Sequence, residues 1–360
     1  MKRLWFAIVP LLFISCAKKQ LLQESPKPIE EAQLLLPGED RHLSNARQLT
    51  FSGKNAEAYF SFDNRWLVFQ SHNSQNNCDQ LYVMSTSGGE TRKVSTGKGR
   101  VTCGYFVDPG PAENSRILYS STHEHSEACP AQPDRSNGYV WPLYDSYELY
   151  MDSFQGGSPK RLTENRFYDA EATVSPDGKE IVFTSTRDGD LELYLMNVDG
   201  TNVRRLTNAT GYDGGAFFSP DGKQIVYRAF HPTLKKEKEN YKKLLKQGLY
   251  RPGLLELYVM DRDGRNKKKI TDLKASSFAP YMFPNSKRII FSSNLADPKG
   301  RFFDLFAINA TGGFLEKLTF NAGFDGFPMF SFDGKKMVWA SNRNAKDKGD
   351  INIFIADWAE

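Results

Sequence analysis

Ala170-Glu171-Ala172-Thr173-Val174-Ser175-Pro176-Asp177-Gly178-Lys179-Glu180-Ile181-Val182-Phe183-Thr184-Ser185-Thr186, then Leu191-Glu192-Leu193-Tyr194-Leu195-Met196, then Val203-Arg204-Arg205-Leu206-Thr207, reads as four short strands joined by tight turns. Pro176 presets the backbone for the second position of a turn, and Gly178 accepts a positive φ. Ile181 to Thr186 is β-branched and apolar enough for a buried strand. Leu191 to Met196 follows it, and Asp199-Gly200 supplies a hairpin turn. From first to last these strands are called a, b, c and d.

The unit recurs along the chain. The ending of strand d returns as Arg47-Gln48-Leu49-Thr50, Arg92-Lys93-Val94-Ser95, Arg161-Leu162-Thr163, Lys269-Ile270-Thr271 and Lys317-Leu318-Thr319. Counting Thr207 as well, successive final residues lie 45, 68, 44, 64 and 48 positions apart. Each long gap is one unit plus an insertion of about 20 residues, and a strand-rich period of this size marks propeller blades. The a–b turn recurs as Ser61-Phe62-Asp63-Asn64, Ser219-Pro220-Asp221-Gly222 and Ser331-Phe332-Asp333-Gly334. The sixth unit, Phe320 to Glu360, has strands a, b and c but no d, while a spare d strand, Arg47 to Thr50, stands at the front. A ring closes when the first strand completes the last blade, which removes exposed sheet edges. The expectation is an all-β, six-bladed propeller of four-stranded antiparallel blades over residues 47–360, closed by that N-terminal strand.

Residues 1–16 carry Lys2 and Arg3, an apolar run from Leu4 to Ile14, and Ser15-Cys16. This reads as a secretory signal, and its apolar run is too short to span a bilayer comfortably. Leu12-Phe13-Ile14-Ser15-Cys16 resembles a bacterial lipoprotein signal, which implies cleavage before Cys16 and a lipid on its sulfur. Ala17 in place of an aspartate implies an outer-membrane address. Residues 17–46, with Pro26, Pro28, Pro37 and Gly38, read as a linker. A net charge of +4 is small for 360 residues and argues against nucleic acid as a main partner.

Ser175-Pro176-Asp177-Gly178-Lys179, Ile181-Val182-Phe183, Leu193-Tyr194 and Arg205-Leu206-Thr207 resemble the WD40-like PD40 repeats of the TolB propeller family, over about residues 47–360. The resemblance implies the fold and, less sharply, a bacterial periplasmic binding role, because the same blades occur in oligopeptidases and in oligogalacturonate lyase. TolB carries an α/β domain ahead of its propeller, and this sequence offers no room for one. No G-x-S-x-G elbow is present either, so serine peptidase activity is not expected.

Strand direction alternates, so the d–a and b–c loops emerge on one face. Both insertions fall in b–c loops, about His123 to Leu143 and about His231 to Leu254, and such loops on a rigid scaffold commonly carry binding. At the starts of strands a, Asn55, Asp169, Asp213, Ser277 and Asp325 align. Asn55, Asp169, Asp213 and Asp325 are the candidate ligand-binding ring, although Asp in such a loop also caps backbone N–H groups. His72, His123, His125 and His231 lie just beyond three b strands and are the candidate ligands of a divalent metal; the plain alternative is ordinary loop histidines. No other cofactor is suggested. With Cys16 lipidated, three thiols remain, and Cys129 is expected to pair with either Cys78 or Cys103. Leu234 to Gln247 reads as an amphipathic helix with Thr233 at its start and Gly248 at its end.

Two functions follow. The first is a monomeric, non-enzymatic binding or scaffold protein, lipid-anchored in the periplasm. It would present its looped face to an envelope protein or polysaccharide such as peptidoglycan, and would touch the membrane only through the anchor. The second is a metal-assisted lyase or hydrolase acting on polysaccharide or peptide through the loop histidines.

Overall fold

In a computed structural model, residues 34–72, 78–136, 138–297, 300 and 302–360 are described. The signal sequence, Cys16 and the first part of the expected linker lie outside them. Six four-stranded antiparallel sheets form the blades. The innermost strands are Lys54–Phe60, Val101–Phe106, Asp169–Val174, Tyr212–Phe218, Ser277–Met282 and Asp325–Phe330. Each packs against its neighbours in the ring, and the last packs against the first. Between blades sit large apolar side chains, among them Phe60, Phe106, Phe183, Phe291 and Trp339, all fully buried.

The recurring sequence phrases have specific jobs. In the a–b turn the Ser175 hydroxyl donates to Asp177 at 2.6 Å, and the same bond recurs at Ser61–Asp63, Ser219–Asp221 and Ser331–Asp333. At the end of strand d, one hydroxyl per blade accepts the N–H of a strand c residue at 2.8–3.0 Å: Ser95, Thr163, Thr207, Thr271, Thr319 and Thr50 take Leu81, Leu149, Leu193, Leu257, Leu305 and Ile353. Strand d is only two residues long in five blades, so this bond holds the chain where the ladder stops.

The ring closes through Leu43–Gln48, which pairs antiparallel with Asn352–Trp358 in register Leu43↔Trp358 and Gln48↔Phe354. The propeller therefore begins before residue 47, and the stretch from Leu34 to Ala46 is no linker. Leu34, Leu43 and Ala46 are buried in the main core. Glu39, fully buried, accepts the N–H groups of Leu36 and Phe320 and pairs with Arg343 of the last blade at 2.8 Å. Composition read residues 17–46 as a linker; these contacts make the part from Leu34 on a second fastening beside the closing strand.

Helix α1 (Lys235–Leu245) forms within the second insertion. At its start it is the Glu237 carboxylate, rather than the Thr233 side chain, that accepts the Thr233 and Leu234 N–H groups, at 3.3 and 3.2 Å. Gly248 follows with φ of 67°.

Candidate functional site

Every innermost strand slips register at the same place: between Ala56 and Tyr59, Thr102 and Tyr105, Ala170 and Thr173, Gly214 and Phe217, Phe278 and Tyr281, and Gly326 and Met329. One residue within each bulge has left-handed backbone: Glu57 (φ 53°), Cys103 (53°), Glu171 (55°), Gly215 (57°), Ala279 (48°) and Phe327 (56°). A bulge re-aims one side chain, and all six of these residues line the same axial space. Five are not glycine, and the left-handed conformation costs each of them about 1–2 kcal/mol. Strain repeated this way around one cavity is an observation from which function can be argued.

The axial space widens into a cavity of about 860 Å³ on the looped face. Tyr139, Trp141, Tyr168, Tyr212, Phe278 and Phe327 supply aromatic wall, with Glu57, Cys103, Glu171 and Arg228 at the base. The two insertions meet above it. Trp141–Pro142 from the second blade pairs with Leu249–Tyr250 from the fourth, bridging across the third blade. Tyr250 stacks on Tyr212 with ring centroids 4.6 Å apart, and Trp141 lies 5.5 Å from Tyr250. Tyr241 of helix α1 donates to Asp190 and to the Gly211 carbonyl. Cys129 is disulfide-bonded to Cys78, which ties the first insertion back to the first blade, and Cys103 is left as the thiol facing the axis.

Charge at the base is tightly arranged. Glu171 accepts from Thr184 (2.8 Å), Tyr212 (2.8 Å), the Gly215 N–H (2.9 Å) and Arg228 (2.9 Å). Glycine at the fourth blade's bulge makes room for Arg228, since a Cβ on Gly215 would lie 2.9 Å from its Cζ. Burial works against the Arg228 charge, but Tyr212 and Glu171 outweigh it and its pKa rises. Glu57 is different. Burial lifts its carboxyl from 4.5 to about 7, against the smaller pull of the adjacent Cys103 thiol and of Arg228. Burial, then the Glu57 and Glu171 charges, push the Cys103 thiol well up, so it stands protonated and is no activated nucleophile.

The aligned ring lies behind this wall. Asp169 pairs with Arg187 at 2.8 Å, Asp213 with His231 at 3.0 Å and Asp325 with Arg343 at 2.8 Å, all three carboxylates being buried. The Asn55 amide donates to the Ser52 and Ile351 carbonyls. None of the four lines the cavity. They brace each strand a to loops, and the residues that reach the axis stand two positions further on. The histidines are not brought together either. His72 lies 3.8 Å from Asp79, His123 bonds Ser121 at 2.9 Å and packs on Tyr150, His231 is held by Asp213, and His125 is exposed. Among the described residues no group of three or more His, Cys, Asp and Glu side chains is placed to hold an ion. The four histidines follow the b strands of three different blades, with only His123 and His125 sharing one.

Residues 112–248 match the family model described as TolB beta propeller domain, PD40. No curated protein matches the sequence. Among solved structures, putative TolB from Agrobacterium tumefaciens superposes with a TM-score of 0.56 at 20% identity, over 86% of this chain and 91% of that one. TolB from Acinetobacter baumannii gives 0.54 at 19% identity, over 86% of this chain and 64% of that one. Oligogalacturonate lyase from Vibrio parahaemolyticus gives 0.50 at 12%, over 87% and 93%. At such identities the likeness is one of fold. The PD40 match over residues 112–248 and the closed six-bladed ring together make this chain similar in fold to TolB-type propellers.

Proposed function

We propose that the protein is a non-enzymatic binding or scaffold protein of the bacterial periplasm, anchored by a lipid on Cys16, that receives part of an envelope protein or polymer at its looped face. The observation that carries this reading is the aromatic axial cavity, lined in large part by d–a and b–c loop residues and partly roofed by the paired insertions. A concave, mostly apolar space with a few fixed polar groups is the usual form of a binding site. At the base the Cys103 thiol is held protonated, and the Arg228 and Glu171 charges are matched to each other. The rival reading, a metal-assisted lyase or hydrolase using His72, His123, His125 and His231, gains no support from where those side chains lie.

Two experiments test the proposal. A photo-crosslinking residue at Tyr139, 58% exposed on the cavity rim, is expected to capture envelope components. The same residue at Lys223, in an a–b turn at the other end of the ring, is expected to capture none of them. Identical adducts from both positions would remove the looped face from consideration. For the anchor, Cys16→Ser is expected to move the protein from the membrane fraction to the soluble periplasm. A variant that still sediments with membrane shows that lipid on Cys16 is not what holds it there.

A further inference from the structure

Glu57 is the one acid of the axial ring without a countercharge. Its Oε2 is buried and has no hydrogen-bond partner, although the side chain faces both the narrow base and the wider cavity. Glu171, its equivalent two blades on, is fully engaged by Arg228, Tyr212, Thr184 and the Gly215 N–H. The groups around Glu57 offer no substitute. Cys103, which hydrogen-bonds Glu57, and Tyr59 and Gln70 carry no positive charge, Asp79 is paired with Arg100, and Asp325 of the adjoining last blade is paired with Arg343. With Glu57 ionised, the base holds two carboxylates against one guanidinium. The walls already accommodate a cation, since the Arg228 guanidinium lies 5.2 Å from the Trp141 ring centroid and 5.7 Å from that of Tyr212. Aromatic faces attract such charge through their quadrupoles.

We propose that the axial cavity binds a cationic group, the ammonium of an amine or of a basic side chain, with Glu57 as its counter-ion and aromatic faces around it. This rests on reading the cavity as the binding site. A buried carboxylate is costly until a partner with opposite charge and N–H donors arrives, and the ammonium supplies both. The proton balance follows from the lifted pKa of Glu57, about 7. Below it the empty cavity holds Glu57 protonated, so binding must expel that proton. Above it the carboxylate is already charged. Affinity therefore rises with pH through about 7 and falls on acidification.

The test uses the full chain with benzylammonium and its neutral analogue benzyl alcohol, titrated by calorimetry at about pH 5.5 and about pH 8, where the amine keeps its proton throughout. Wild type is expected to bind the ammonium about thirtyfold more tightly at the higher pH, with the alcohol indifferent to pH. Glu57→Gln should lose that preference by about the same factor while keeping its affinity for the alcohol. Equal binding of both probes, or ammonium affinity unmoved by pH and by Glu57→Gln, overturns the inference and leaves the cavity as a site for something else. Failure of both probes to bind overturns the inference and also takes away the cavity as a small-ligand site, leaving only the face tested by crosslinking. The wild-type pH profile decides the matter even if the variant proves unstable.

Discussion

Arg343→Met is expected to lower the unfolding free energy by about 3–5 kcal/mol, the usual result of breaking a buried charge cluster from one side. The Arg343 side chain is 6% exposed and touches two carboxylates that are 0% exposed, Glu39 and Asp325, at 2.8 Å each. It also donates to the Leu34 carbonyl at 3.0 Å. Without it two buried carboxylates are left without their shared countercharge. The comparison is Arg265→Met, which breaks a pair on an 80% exposed side chain and should leave stability essentially unchanged. Denaturant unfolding of both variants measures this. Amide exchange at Leu43–Gln48 should rise in Arg343→Met if the cluster fastens the closing strand. A loss below about 1 kcal/mol would show that closure rests on the strand ladder alone.

The second large effect is expected at the base of the cavity. Glu171→Leu removes the acceptor of four groups, including the Arg228 guanidinium, which sits over Trp141 and Tyr212. An unpaired guanidinium there should again cost about 3–5 kcal/mol. The sharper measurement is the double variant. Glu171→Leu with Arg228→Met replaces a buried ion pair by apolar groups and should recover most of the loss, because such replacements are often near neutral. If Glu171→Leu alone is mild, water or movement of Arg228 supplies the missing partner and the base is softer than its geometry implies. If the double variant recovers nothing, the Tyr212 and Gly215 contacts matter more than the charge pair.

Much of the architecture was legible in the residues. The Ser-Pro-Asp-Gly turn, the β-branched b strand and the Arg-Leu-Thr ending are local devices: hydroxyl bonds such as Ser175–Asp177 and Leu193–Thr207 join residues within one blade. A missing strand at one end and a spare one at the other were enough to state closure. The start of the propeller was less legible, because Leu34 and Glu39 become part of it only by meeting Arg343, more than three hundred positions away. The aligned Asn55, Asp169, Asp213 and Asp325 were found at equivalent places, yet the side chains at the axis are two residues on, at Glu57, Glu171, Gly215 and Phe327.

Repetition, turn chemistry and the period-two pattern act over a few residues, so the amino-acid order by itself determined the blades, their number and their closure. Which side chains share the axis was decided only in three dimensions. A bulge turns one residue per strand toward the centre, and six strands from distant parts of the chain must close around it before Glu57, Cys103 and Glu171 become neighbours. The same holds for the insertions: their positions were readable, but Trp141–Pro142 finds Leu249–Tyr250 only because the ring holds the second and fourth blades at a fixed separation. The backbone at a bulge and the span of a closed ring are not properties of any local stretch, and it is those two features that make the cavity.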